Sequence, residues 1–225
     1  MEYNNGIYVL GAKQGSSCLG VRKALGPREM IYCEVKPGHQ RSTNEIEKLG
    51  VELPQEALTL EMSWTWMSDC LIGRYVSSLL FSSGVTGFQT RPVEITVKGK
   101  PVDHDLEELV PIGWGGIAAQ KSGVKLLESC PSCGYLRYSG VKNWTDLIDL
   151  SQWDGSDIFL VWPLPKYILI TDKVRRILEA NRIKEMTITP LSTMQPQDSE
   201  LSPGRVRDWL PLEKLRSIAI PDLIA

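Results

Sequence analysis

The most specific chemical feature of the 225-residue chain is a cysteine pair followed by glycine, Cys130-Pro-Ser-Cys133-Gly134. Two thiolates at C-x-x-C spacing can grip one zinc ion, and the glycine leaves backbone N–H groups free to approach sulfur. A structural zinc site takes four protein ligands, so Cys130 and Cys133 would need two more. Cys18, Cys33, Cys70, His39 and His104 are the candidates, and none is spaced as a second pair. The motif leaves three readings open: a zinc site completed from afar, a redox dithiol, or a reduced pair in a β-turn. The redox reading lacks the strand-then-helix frame such motifs occupy.

The two histidines carry little further chemistry by position. His39 follows Pro37-Gly38 in a polar turn and reads as solvated, and His104 lies among carboxylates. Neither belongs to a nucleophile motif such as G-x-S-x-G. No phosphate loop or dinucleotide fingerprint is present; Gly113-Trp114-Gly115-Gly116 has no lysine at the required spacing. The clearest charged features are acidic. Asp103, Asp105, Glu107 and Glu108 surround His104, and Asp146, Asp149, Asp154 and Asp157 lie in a stretch without Lys or Arg. Together they could form a contact face for a basic partner, since opposite potentials steer association. Trp144 and Trp153 in the same stretch are residues that often anchor interfaces. The plainer alternatives are a solvated loop and core tryptophans.

What positions these groups is a strand–helix–strand unit that occurs twice. Tyr167 to Ile170 is an apolar run of β-formers, Thr171 and Asp172 can cap a helix start, and Val174, Ile177 and Leu178 fall on one helical face. Asn181 can take the left-handed turn that ends the helix, and Ile183 to Ile188 resumes an extended pattern before Pro190. Val76, Leu79, Leu80, Val85, Phe88 and Pro92 repeat this pattern ungapped (174 − 76 = 98; 190 − 92 = 98), and Ile72 and Trp64 match Ile170 and Trp162 at the same offset. The unit predicts an α+β protein: two related lobes of twisted, mainly antiparallel sheet with short helices packed on one side. Residues 1–100 would form the N-terminal lobe and 101–225 the C-terminal lobe. The glycines and prolines of 98–123 predict turns and a connection. The proline-rich tail predicts an extended arm with one short helix, docked through Trp209, Leu212 and Leu215.

Net charge is −2, which lacks the basic footprint of a general nucleic-acid binder. No stretch has the length and apolarity of a membrane span. The first residues lack a signal-peptide pattern, and five cysteines without one point to reduced thiols in a cytoplasm.

From CPSCG through LIDLSQWDGSDIFLV to YILITDKVRRILEANRIKEMTITPL, the chain resembles the bacterial double-CxxCG motif proteins, immunity proteins of polymorphic toxin systems. The positions that carry the resemblance are Cys130, Cys133, Gly134, Asp149, Leu150, Asp157, Ile158, Phe159, Val174, Ile177, Leu178 and Pro190. That family has a second C-x-x-C pair nearer the N-terminus, where this chain has only isolated Cys18 and Cys33. The resemblance implies a cytoplasmic bacterial protein that binds and neutralises a cognate toxin by occluding it, and that has no catalytic residues. The alternatives are a zinc-stabilised binding module for another partner, and an enzyme of unrecognised type using the carboxylates near His104.

Overall fold

The computed structural model describes residues 6–13, 19–23, 25, 30–42, 49–218 and 220–221. Cys18 and residues 43–48 of the expected polar loop lie outside them. In chain order the strands are β1 (Ile7–Ala12), β2 (Leu19–Lys23), the two-residue strands β3 (Met30–Ile31) and β4 (Arg41–Ser42), β5 (Leu49–Glu52), β6 (Met62–Thr65) and β7 (Cys70–Gly73). Helix α1 (Arg74–Ser82) follows, then β8 (Phe88–Val97), β9 (Lys100–Pro101), β10 (Leu106–Pro111), β11 (Gly113–Ile117), β12 (Leu126–Cys130), β13 (Tyr135–Tyr138), β14 (Ile158–Trp162) and β15 (Ile168–Thr171). Helix α2 (Asp172–Ala180), β16 (Met186–Pro190) and α3 (Leu212–Ser217) complete them. The protein is mostly β, with few and short helices. None of the described helices is long and apolar enough to cross a membrane.

Six strands close into a barrel in the order β10-β7-β6-β2-β5-β8, because β10 pairs with β8 as well as with β7. Closure removes the unpaired edges of an open sheet. A second, five-stranded sheet runs β11-β14-β15-β1-β16, and β12 with β13 forms a separate hairpin.

The strand–helix–strand units have matching local structure. Helices α1 and α2 begin 98 residues apart (172 − 74 = 98), and so do β7 and β15 (168 − 70 = 98). Even the left-handed residues correspond: Gly84 with Arg182 (φ 62° and 56°) and Gly87 with Glu185 (φ 82° and 63°). The turn expected at Asn181 is therefore taken one residue later. Asn181 keeps φ −91°, and its side-chain amide donates to the Ile177 carbonyl at 2.8 Å. Thr171 makes no side-chain cap; its hydroxyl bonds to Asp157 instead, at 3.1 Å.

In each unit a strand from the other half of the chain lies between the unit's own two strands. β1 lies between β15 and β16, with Ile7 facing Thr171 and Tyr8 facing Pro190. β10 lies between β7 and β8, with Leu106 facing Gly73 and Glu107 facing Pro92. The registers coincide once the numbers are shifted (106 − 7 = 99; 171 − 73 = 98; 190 − 92 = 98). Likewise β2 runs parallel to β6 and β11 parallel to β14. Each sheet is thus completed by a strand from the other half of the chain. One of the buried clusters joins the two sheets: Leu10, Ile72, Val76, Leu80, Leu109, Ile170, Val174 and Leu178 pack in it together. A cut at residue 100, the boundary expected from sequence, would sever both sheets.

The segment 98–123 holds β9, β10 and β11 rather than a simple connection. Its glycines mark close approach as well as turns. A Cβ on Gly113 would sit 2.3 Å from the Ile158 carbonyl oxygen, and one on Gly115 would sit 2.5 Å from the Phe159 ring. Backbone cannot yield as a flexible side chain can, so Gly113→Ala should cost about 1–3 kcal/mol of stability, the usual range for overpacking, measured by urea denaturation. In the tail, α3 forms as expected. Trp209 and Leu215 pack on the cluster around Trp162, but Leu212 is 70% exposed and does not dock.

Candidate metal centre

Cys130 ends β12 and Cys133 stands in the turn before β13. The turn is tight: the Gly134 amide donates to the Cys130 carbonyl at 2.8 Å, and Gly134 is left-handed at φ 67°. A side chain there is also excluded sterically, since a Cβ would fall 1.8 Å from Arg205 Nε. Opposite this knuckle, the loop between β3 and β4 brings Cys33 and His39. The Lys36 amide donates to Cys33 Sγ at 3.3 Å, and a short 3₁₀ turn over Pro37–His39 aims the imidazole inward.

These four side chains converge. Their ligand atoms all lie within 4.8 Å of one another. Cys33 Sγ is 3.7 Å from Cys130 Sγ, and Cys133 Sγ is 3.8 Å from His39 Nδ1. A tetrahedral zinc with ordinary Zn–S and Zn–N distances requires separations of about 3.5–3.8 Å. Each residue exposes 8% or less of its surface. Three soft sulfurs and one imidazole suit zinc, and four protein ligands leave no open coordination position.

The surroundings orient the ligands. His39 Nε2 lies 3.1 Å from Glu128 Oε1. That contact fixes Nε2 as the protonated nitrogen and turns the Nδ1 lone pair to the cluster, an arrangement common around bound zinc. The imidazole also stacks on Tyr135, with ring centroids 4.2 Å apart. Arg41 donates to the Cys133 carbonyl at 2.7 Å and approaches Cys133 Sγ at 3.7 Å. Lys36 and Arg137 pair with Glu128, and Arg137 reaches on to Glu200 in the tail.

The titration behaviour follows. Lys36 leads the contacts that hold the Glu128 carboxyl at about 2, with His39 and Arg137 adding to them. Burial pushes the Cys133 thiol up, but the Tyr135 amide, Arg41 and the neighbouring thiols outweigh it and bring it to about 6. The Cys133 amide, followed by His39, lowers Cys130, whereas burial raises Cys33. Burial opposes protonation of His39, yet the thiols of Cys130 and Cys133 and the Glu128 carboxylate prevail and raise it. Zinc takes the thiolate form of all three cysteines, so protons compete with it for each sulfur, that of Cys33 included. Metal content after dialysis should fall as the solution is made acid. Glu128→Gln keeps the shape but weakens the orienting contact, and should lower zinc affinity about 10–100-fold, read by competition with a chelating dye.

The sequence identified half of this centre. Cys130 and Cys133 are in it, while Cys70 and His104 are not: Cys70 is buried in the cluster between the barrel and the five-stranded sheet, and His104 Nδ1 accepts the Leu106 amide at 3.2 Å in a local turn. The missing half is not a second C-x-x-C pair. Lys36 stands where its second thiol would be, and His39, three residues on, supplies the ligand. His39 is therefore buried rather than solvated, and the C-x₅-H spacing of Cys33 and His39 was the available signal.

The expected acidic face is reduced by structural pairing. Glu108 is 6% exposed, faces Arg91 across β10 and β8, and bonds to its guanidinium at 2.7 Å. Asp154 accepts the Trp114 amide at 2.9 Å and pairs with Lys214. Asp157 accepts Thr86, Thr171 and Lys173 at 2.9–3.2 Å. Asp149 holds Ser151 and Gln152 in its own turn, and Asp146 accepts Asn143. Asp103, Asp105 and Asp154 are exposed, and Glu107, Asp146, Asp149 and Asp157 are partly so. Trp144 is 2% exposed and packs on Tyr167 at 5.1 Å, and Trp153 packs on Phe159 at 5.3 Å. Trp144 is a core residue, whereas Trp153 is partly buried against the same cluster. Leu150 in this stretch is 40% exposed, and outside it Trp66 is exposed at 70% and Met67 at 46%.

The chain matches no protein-family model and no curated protein.

Proposed function

We propose that the protein is a zinc-stapled binding protein, and that its partner is a bacterial toxin which it neutralises by occlusion. The observation that carries the first part is the buried, closed set of three sulfurs and one imidazole, held by a carboxylate on the far side of the ring. A site with no vacant ligand position stabilises architecture; it does not bind substrate. The resemblance to double-CxxCG immunity proteins supports the second part. We also take the two halves as copies of one duplicated unit with exchanged leading strands, two related units around one core. The matched offsets and registers support this.

A second reading has one observation in its favour. Cys133, His39 and Glu128 form a chain that could activate a thiolate nucleophile. The convergence of Cys33 and Cys130 on the same point, and the burial of Cys133, favour metal. Iodoacetamide separates the two: a nucleophile is alkylated at Cys133 in the native protein, whereas a zinc ligand is protected until chelator is added.

The functional test is co-expression with any toxin domain that proves to be encoded beside this chain. Growth rescue, together with a complex that survives gel filtration, is the expected result. Absence of rescue against every adjacent toxin domain would remove the immunity reading and leave the metal centre untouched.

A further inference from the structure

The turn joining β6 to β7, Trp66-Met67-Ser68-Asp69, is both exposed and rigid. Trp66 and Met67 are 70% and 46% exposed. Their backbone is fixed beneath them. Thr65 Oγ1 accepts the amides of Met67 and Asp69 at 3.2 and 3.1 Å, the Trp66 amide reaches the Gly20 carbonyl at 3.0 Å, and Ser68 is held at φ 69°. A left-handed serine is a strained conformation that persists only where its surroundings impose it. An exposed tryptophan on a preorganised turn is the type of residue that dominates interface energy at small ordering cost.

Beside this tip, Met67 and Ser68 help line a cleft between the barrel, the β14–β15 loop and the tail. Its floor carries two ion pairs, Arg22 with Asp69 and Arg91 with Glu108. Its third carboxylate, Asp208, accepts the Arg205 amide at 2.8 Å. Lys166 and Arg207 also line the cleft, and no hydrogen bond or ion pair joins either to another described residue. Burial and the nearby Arg22 guanidinium lower the Lys166 ammonium, against a smaller opposing pull from Asp69. In a chain of net charge −2, this cleft is a local cationic site with its carboxylates already engaged.

We propose that the Trp66–Met67 tip and the adjoining cleft are the docking site for a protein that presents a carboxylate side chain beside an apolar one. The carboxylate would sit between Lys166 and Arg207, and the apolar side chain against Met67 and Trp66. Charge complementarity selects the acid, and the exposed aromatic rim favours a protein over a free inorganic anion. The assignment rests on the binding reading above and replaces the acidic face expected from sequence.

Two experiments decide it. Full-length protein is titrated with short capped peptides pairing Glu or Asp with Leu or Phe, with Gln or Asn copies as neutral controls and inorganic phosphate as competitor. The Trp66 indole NMR signal is the readout. Acidic peptides should shift it and bind about tenfold or more tighter than the neutral copies, the range of a charge-assisted hydrogen bond. Lys166→Glu and Trp66→Ala, both surface changes with unaltered melting temperature, should each abolish the preference. No acidic peptide binding, equal binding of neutral copies, or full displacement by phosphate would overturn the proposal. The same variants enter the toxin assay. If wild type rescues growth and both variants rescue it equally, the docking site is wrong and the immunity reading stands. If no toxin is neutralised but acidic peptides bind as described, the reverse holds.

Discussion

Cys133→Ser is expected to take the metal content from one zinc per chain to none and to loosen the structure on three sides of the centre. The centre ties together the loop of Cys33 and His39, the β12–β13 hairpin, and, through Arg205 over Gly134 and Arg137 to Glu200, the tail. Structural zinc contributes about 10–16 kcal/mol of apparent binding energy in small zinc modules, as large as the whole stability of a typical domain, about 5–15 kcal/mol. The barrel and the five-stranded sheet have their own core, so the loss should be local. Hydrogen exchange should accelerate at least tenfold over 30–42 and 126–135 and remain slow in β7, β14 and β15. The inner part of the hairpin should retain some protection, because Leu136 and Tyr138 are buried against Trp162 and Trp162 Nε1 donates to the Tyr138 hydroxyl at 2.9 Å. Unchanged exchange around Cys130 in the metal-free variant would show that the centre is not a staple.

The second large effect concerns β1 and β10, the strands that cross between the two halves of the chain. Leu10 in β1 and Leu109 in β10 are 3% and 2% exposed, occupy corresponding positions (109 − 10 = 99), and belong to one cluster. Leu10→Ala and Leu109→Ala should each cost about 2–5 kcal/mol, the range for buried leucine truncation. Each should shift the same single unfolding transition, seen alike by tryptophan fluorescence and circular dichroism. If the halves were independent lobes, each change would split off one of two transitions. The double variant should depart from additivity because both gaps open into one core, and with up to about 10 kcal/mol removed it should approach the unfolding threshold.

Local pattern revealed the repeated unit well. Val76, Leu80, Val174 and Leu178 are all buried at the helical spacing that their sequence shows, and the strands before and after each helix are where β-formers and prolines place them. The pairing of β1 and β10 was not legible, since alternation says that a strand has a buried face and nothing about which strand it pairs with. β10 and β11 were hidden by Pro111, Gly113, Gly115 and Gly116, which read as turn signals but here allow close contact with β14 and the loop before it. Arg182 and Glu185 take left-handed turns that their side chains do not advertise. The metal centre was half legible because Cys130 and Cys133 are neighbours in sequence, while His39 lies 91 positions before Cys130 (130 − 39 = 91) and looked like a surface turn residue. The hydrogen bonds that engage Asp149, Asp154 and Asp157 do not show in a charge count.

X-ray absorption at the zinc edge, on protein purified without added chelator, tests the central claim most directly. One zinc per chain is expected, with three sulfurs at about 2.3 Å and one nitrogen at about 2.0 Å, and with the nitrogen lost in His39→Ala. Metal-free protein that melts at the same temperature with and without added zinc, or a zinc carrying bound water in place of His39, would contradict it.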